Sequence, residues 1–111
     1  MTQLVAKGQI YWVNLNPSLG SVIKRNRPAL IISNDIQNMQ KQDIIIAPIT
    51  SLINRVYPFE VLIERNGTKG KVMLDQIRTI DYNRIGKYLG TLTTLEMQAV
   101  EKRIKLVLAL S

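Results

Sequence analysis

Three cations fall within four residues of the segment Gly20-Ser21-Val22-Ile23-Lys24-Arg25-Asn26-Arg27-Pro28, directly before the apolar run Ala29-Leu30-Ile31-Ile32. No carboxylate precedes them; the first in the chain is Asp35. Guanidinium and ammonium groups on a loop at the mouth of a rigid strand suit phosphate, which an arginine fork can hold by two parallel hydrogen bonds. The whole chain shares the bias. Fifteen Lys and Arg against eight Asp and Glu give a formal charge of +7 over 111 residues. Such a surface attracts polyanions or an acidic protein partner, so nucleic acid is the first partner to consider, beside a basic protein with no such role.

The missing residue types narrow the chemistry. There is no cysteine and no histidine. Disulfides, thiolate metal sites and a cysteine nucleophile are excluded, as are the commonest general base and the commonest zinc ligand. Asp35, Asp43, Asp75 and Asp81 lack metal-ligand spacing, neither common phosphate-binding glycine loop is present, and the six aromatics form no RNA-recognition signature. No metal or cofactor is expected. What remains open is metal-free cleavage of a phosphodiester, which RNA permits because its own 2′-hydroxyl can attack the adjacent phosphorus. The protein must then align the attack, neutralise the pentacoordinate phosphorane and assist the leaving 5′-oxygen.

The elements that must position such groups are short. Residues 9–15 (QIYWVNL) favour a strand and stop at Asn16-Pro17; residues 18–27 read as a polar loop; residues 28–33 read as a buried strand. Residues 34–41 open on a capping residue and suit a short helix. Residues 43–49 (DIIIAPI) form another buried strand, in which Pro48 suggests an end or an edge. Residues 58–63 and 70–74 are strands on either side of a turn at Arg65-Asn66-Gly67, and residues 78–80 and 85–92 are weaker candidates. Thr93 and Glu96 have the spacing of a capping box, and Met97, Val100, Ile104 and Val107 mark one apolar face of a helix over 94–108. These patterns predict one domain over 1–111, mainly β: a small, strongly bent antiparallel sheet or barrel closed by a C-terminal helix. With no leader-like start and no long apolar run, a soluble cytoplasmic protein is expected.

An ordered set of blocks carries a resemblance over about residues 7–110. The blocks are GQIYWVNLNP, Gly20-Ser21 with Arg27-Pro28 before an apolar strand, Ser33-Asn34-Asp35, Ala47-Pro48-Ile49-Thr50-Ser51, Tyr57-Pro58-Phe59-Glu60-Val61, and Leu74-Asp75-Gln76-Ile77-Arg78-Thr79-Ile80-Asp81. Together they resemble the MazF/PemK family of toxin–antitoxin ribonucleases. The resemblance implies an SH3-like barrel with short helices and a homodimer. It implies sequence-specific, metal-independent cleavage of single-stranded RNA such as mRNA, through a 2′,3′-cyclic phosphate with a 5′-hydroxyl product, inhibiting translation and growth. It also implies a cognate antitoxin with an acidic, disordered C-terminal segment.

Carried over by position, Arg27 and Thr50 match the family's catalytic arginine and threonine. Ser21 and Gln76 match positions near the scissile phosphate or the RNA. Lys24 and Arg25 lie in the loop bordering the groove, and Asn34 lies where bases are expected. Many members read Gly-Ser-Glu-Gln-Gly-Gly before the Arg-Pro pair; this loop is more basic and poorer in glycine, and Arg25 competes with Arg27 for the catalytic role. Blander readings stand beside these. Arg27 could be a solvated loop residue, and Thr50 could simply end a strand. Asp75 could be structural, with orientation of Arg27 or base catalysis as its alternative. Arg78 could pair with Asp75 or Asp81, and Trp12 and Phe59 could be core or dimer contacts or base-stacking platforms. The rival functions are a gyrase-poisoning toxin of the same fold and a basic nucleic-acid-binding adaptor.

Overall fold

A computed structural model describes residues 5–16 and 26–110. They contain strands β1 (Gln9–Asn14), β2 (Asn26–Ile31), β3 (Asp43–Thr50), β4 (Glu60–Arg65), β5 (Thr68–Met73), β6 (Arg78–Asp81) and β7 (Ile85–Thr91), with helices α1 (Asp35–Met39) and α2 (Thr94–Val107). Single 3-10 turns, Leu74–Gln76 and Tyr82–Arg84, flank β6. Every pairing is antiparallel, in the order β4-β5-β3-β2-β1-β7, with β6 also on β3. No helix among the described residues is long and apolar enough to cross a membrane.

The pivot is β3. One edge pairs with β2 from Ile46 to Pro48. The other edge pairs first with β6, ending at Ile46 opposite Arg78, and then with β5, starting at Ile49 opposite Val72. A strand that changes neighbours halfway turns the sheet, which curls into a half-barrel. Pro48 therefore lies inside a central strand and not at its end or edge, and the ladder explains why. The Ile32 amide donates to the Ile45 carbonyl, so alternation makes Leu30 and Ala47 the next bonded pair. The Pro48 nitrogen then points away from β2, into the step between β6 and β5, where no ladder donor is required.

Alternation sorts side chains into two cores. Leu30, Ala47, Ile49, Val61, Ile63 and Val72 pack on one face, against Met97, Val100, Ile104 and Val107 of α2. Tyr11, Val13, Ala29, Ile31, Ile44, Ile46 and Ile80 pack on the other. The apolar stripe expected of α2 is thus the one that covers the sheet. Its N-terminus carries the capping box: the Thr93 hydroxyl accepts from the Glu96 amide and the Glu96 carboxylate accepts from the Thr93 amide. A cap of this kind is worth about 1 kcal/mol.

The β4–β5 hairpin turns at Asn66 (φ 49°) and Gly67 (φ 81°), the two consecutive left-handed residues that match the twist of the flanking strands. Beside the turn Arg65 donates to Glu96 at 2.9 Å and to the Thr91 carbonyl, joining the tip of the hairpin to the start of α2.

Candidate active site

The register of β2 and β3 brings Arg27 and Thr50 together. The β2–β3 ladder ends at Ala29 opposite Pro48; Arg27 and Thr50 each lie two residues beyond that pair, and both line one hollow. Alternation puts Arg27 on the face of Ala29 and Thr50 on the face of Pro48, which is the same face of the sheet. Both backbones are held from behind. Arg27 pairs with the buried Val13 of β1, and Thr50 pairs with Lys71 of β5. The loop expected over residues 18–27 ends earlier than predicted, because Asn26 and Arg27 already belong to β2.

The two side chains are chemically available. Arg27 is exposed, and its guanidinium has no ion pair or hydrogen bond among the described residues. Thr50 Oγ1 accepts from the Leu52 amide at 3.2 Å, which fixes the oxygen and leaves its proton to donate elsewhere.

Arg27 stands between two hollows. One, of about 650 Å³, is mainly apolar; Ile10, Trp12, Ile49, Ile63 and Leu89 line it beside Thr50. The other, of about 750 Å³, is more polar; Leu15, Met73, Gln76 and Arg78 line it. Gln76, in the 3-10 turn after β5, thus lines the same hollow as Arg27. Arg78 lines the same hollow and forms no ion pair with Asp75 or Asp81. Trp12 is 42% exposed, so it is a wall of the first hollow and not a core residue.

Thr50 is braced by its surroundings. A Cβ on Gly70 would sit 3.2 Å from the Thr50 carbonyl oxygen, so glycine allows β5 its close approach. The neighbouring Lys71 ammonium is nearly buried. It pairs with Glu60 at 2.9 Å and donates to the Arg55 carbonyl at 2.7 Å, while Glu60 accepts from the Tyr57 amide at 2.9 Å. This network ties residues 51–59, which follow Thr50, back onto β5. Breaking such a buried pair from one side typically costs about 3–5 kcal/mol.

Asn34 lies elsewhere. Its Oδ1 accepts from the Gln37 amide at 2.8 Å and caps α1, and it lines neither hollow. Six residues lie between it and Arg27, and β2 ends within them at Ile31. Ser21, Lys24 and Arg25 lie outside the described residues. Sequence reasoning missed Arg65 and Lys69 on the far rim of the apolar hollow. The Arg65-Asn66-Gly67 turn signal locates the hairpin, but nothing in its pattern says that it folds over β3 towards Arg27.

The comparisons agree with this architecture. The family described as PemK-like, MazF-like toxin of type II toxin–antitoxin system matches residues 6–108. "Endoribonuclease MazF9" of Mycobacterium tuberculosis is 33% identical, covering 96% of this chain and 98% of its own length. "Endoribonuclease MazF" of Staphylococcus saprophyticus is 35% identical, with 96% and 93% covered. Among solved structures, an endoribonuclease in complex with its cognate antitoxin from a mycobacterial species superposes with a TM-score of 0.81 at 26% identity, over 96% of this chain and 97% of that one. With nearly its full length matched in both sequence and fold, this chain belongs to the PemK-like, MazF-like toxin family of type II toxin–antitoxin systems.

Proposed function

We propose that this chain is a sequence-specific endoribonuclease that cuts single-stranded RNA without a metal, using Arg27 and Thr50. The observation that supports this reading is that a guanidinium with no partner among the described residues and a hydroxyl line one hollow, each two residues beyond the last β2–β3 pair. In the reaction the ribose 2′-oxygen bonds to phosphorus and the bond from phosphorus to the 5′-oxygen breaks. The 2′-oxygen gives up its proton and the 5′-oxygen gains one. The products are a 2′,3′-cyclic phosphate and a 5′-hydroxyl end.

Arg27 neutralises the phosphorane through its fork, and Thr50 donates to a non-bridging oxygen; both interactions strengthen as charge develops. The hollows on either side of Arg27 give room for the flanking nucleotides, with Gln76 facing one of them. Ser21, Lys24 and Arg25, which lie outside the described residues, are assigned to RNA binding by family resemblance. Membership of the family supports a homodimer, action on mRNA in the cytoplasm, and neutralisation by a cognate antitoxin. The charge of +7 favours an acidic antitoxin segment as well as RNA.

Incubation with mixed-sequence RNA in EDTA, followed by sequencing of the cut ends, tests this reading. Discrete fragments sharing a short motif are expected. Intact RNA together with inhibited gyrase supercoiling would replace it with the gyrase-poisoning alternative. Salt-sensitive binding without turnover would leave only an adaptor.

A further inference from the structure

Arg84 closes the second 3-10 turn, directly before β7, and no motif in the sequence marks it. Its Nη1 donates to the Asn14 carbonyl at 3.1 Å and also to the Asn16 carbonyl. These two carbonyls flank Leu15. The Asn16 amide in turn donates to Asn14 Oδ1 at 2.9 Å, and Asn16 is buried. One guanidinium therefore grips both sides of the bend in which β1 ends, 68 to 70 residues away in sequence.

Two links run from this grip to Arg27. Asn14 is the register partner of Asn26, the residue before Arg27. Leu15, held between the gripped carbonyls, lines the hollow that Arg27 shares with Gln76. Arg27 follows the Asn14–Asn26 pair directly, and the β2–β3 pairing on its other side stops at Ala29. Holding the end of β1 holds the pair that sets the Arg27 backbone, and with it one wall of the space its side chain faces.

We infer that Arg84 is a positioning residue for the cleavage assigned to Arg27, acting through Asn14, Leu15 and Asn26; this rests on the function proposed above. Geometry sensitivity in catalysis is steep, with about a 100-fold loss for a displacement of about 1 Å. Both bonds leave the one Nη1, whose two hydrogens lie in the guanidinium plane, so their directions are fixed relative to the side chain in a way that a freely rotating ammonium does not reproduce.

The test uses the full chain carrying Arg84→Ala or Arg84→Lys. Single-turnover cleavage of one RNA oligomer gives the rate, titration gives KM, and thermal melting confirms folding. Arg84→Ala should lower kcat by about 10- to 100-fold with KM within about threefold. Low-millimolar guanidinium should restore at least about fivefold of that loss in Arg84→Ala and leave the unsubstituted chain unaffected. Arg84→Lys should fold like the unsubstituted chain and fall between the two in kcat. Should Arg84→Ala fail to fold, Arg84→Lys decides: a lowered kcat at an unchanged melting temperature supports the inference. Unchanged kcat in the folded variants overturns it, as does a loss that tracks only unfolded protein and ignores guanidinium. Failure of the parent reading looks different: the unsubstituted chain then leaves RNA uncut, and this inference falls with it.

Discussion

Arg27 and Arg65 line the same apolar hollow from opposite rims, yet they are spent differently. Arg65 holds Glu96 and the Thr91 carbonyl, so its guanidinium joins the β4–β5 hairpin to the start of α2. Arg27 has no side-chain partner among the described residues, although the strand beneath it is paired to Val13. A fixed backbone with an uncommitted cation is what a developing phosphorane requires. A fixed cation serves the fold. Lining a pocket is therefore a poor guide to function; the useful question is which donors are still free.

Arg27→Ala should show the largest contrast. Cleavage should fall by at least about 100-fold, comparable to losing one oxyanion donor, while RNA affinity measured by titration falls much less. Equal losses in both would make Arg27 a binding residue alone. Thr50→Val comes next, with roughly a 10- to 100-fold loss in kcat, since one neutral hydrogen bond to the transition state is removed and the residue's shape is kept.

Arg65→Met should act through stability. Loss of charge-assisted hydrogen bonds should lower unfolding stability by about 1–3 kcal/mol in urea titration, with cleavage by the folded variant reduced less than tenfold. A variant as stable as the unsubstituted chain but inactive would move Arg65 into the catalytic set.

The smallest effect is a pH dependence. Burial pushes the Glu96 carboxyl up, but the Thr93 amide and the Arg65 guanidinium outweigh it, so the group sits below its ordinary 4.5. A carboxyl more acidic in the folded chain stabilises it above the unfolded value. That stability is lost as pH falls from about 4.5 through the depressed value. Melting curves across this range should fall more steeply for the unsubstituted chain than for Glu96→Gln; parallel curves would remove Glu96 from the account.

Much of this contrast could be read in the sequence. The Thr93 and Glu96 spacing, the Met97 to Val107 stripe and the Asn66-Gly67 turn are local signals, and each local rule has one structural answer. The resemblance supplied Arg27 and Thr50 as candidates. Their place beside one hollow depends on the register between β2 and β3, fixed by long-range burial of Leu30, Ala47 and Ile49. Pro48 misleads as an edge signal because β3 changes neighbours beside it, which no local pattern encodes. Asn34 has the ambiguity of its residue type: the same amide that caps a helix is also suited to reading a base. The Arg84 grip joins segments about 70 residues apart and leaves no trace in spacing.

On the function proposed above, a guanidinium and a hydroxyl suffice to drive a ribose oxygen onto its own phosphate. The direct measurement takes two oligomers bearing the chain's own cleavage motif, one all-ribose and one with a single 2′-deoxy nucleotide 5′ to the scissile bond, both in EDTA. The account predicts that the all-ribose strand is cut to a 2′,3′-cyclic phosphate and a 5′-hydroxyl while the substituted strand stays whole. Cleavage of the deoxy-substituted strand, or 5′-phosphate ends on the ribose one, would contradict it.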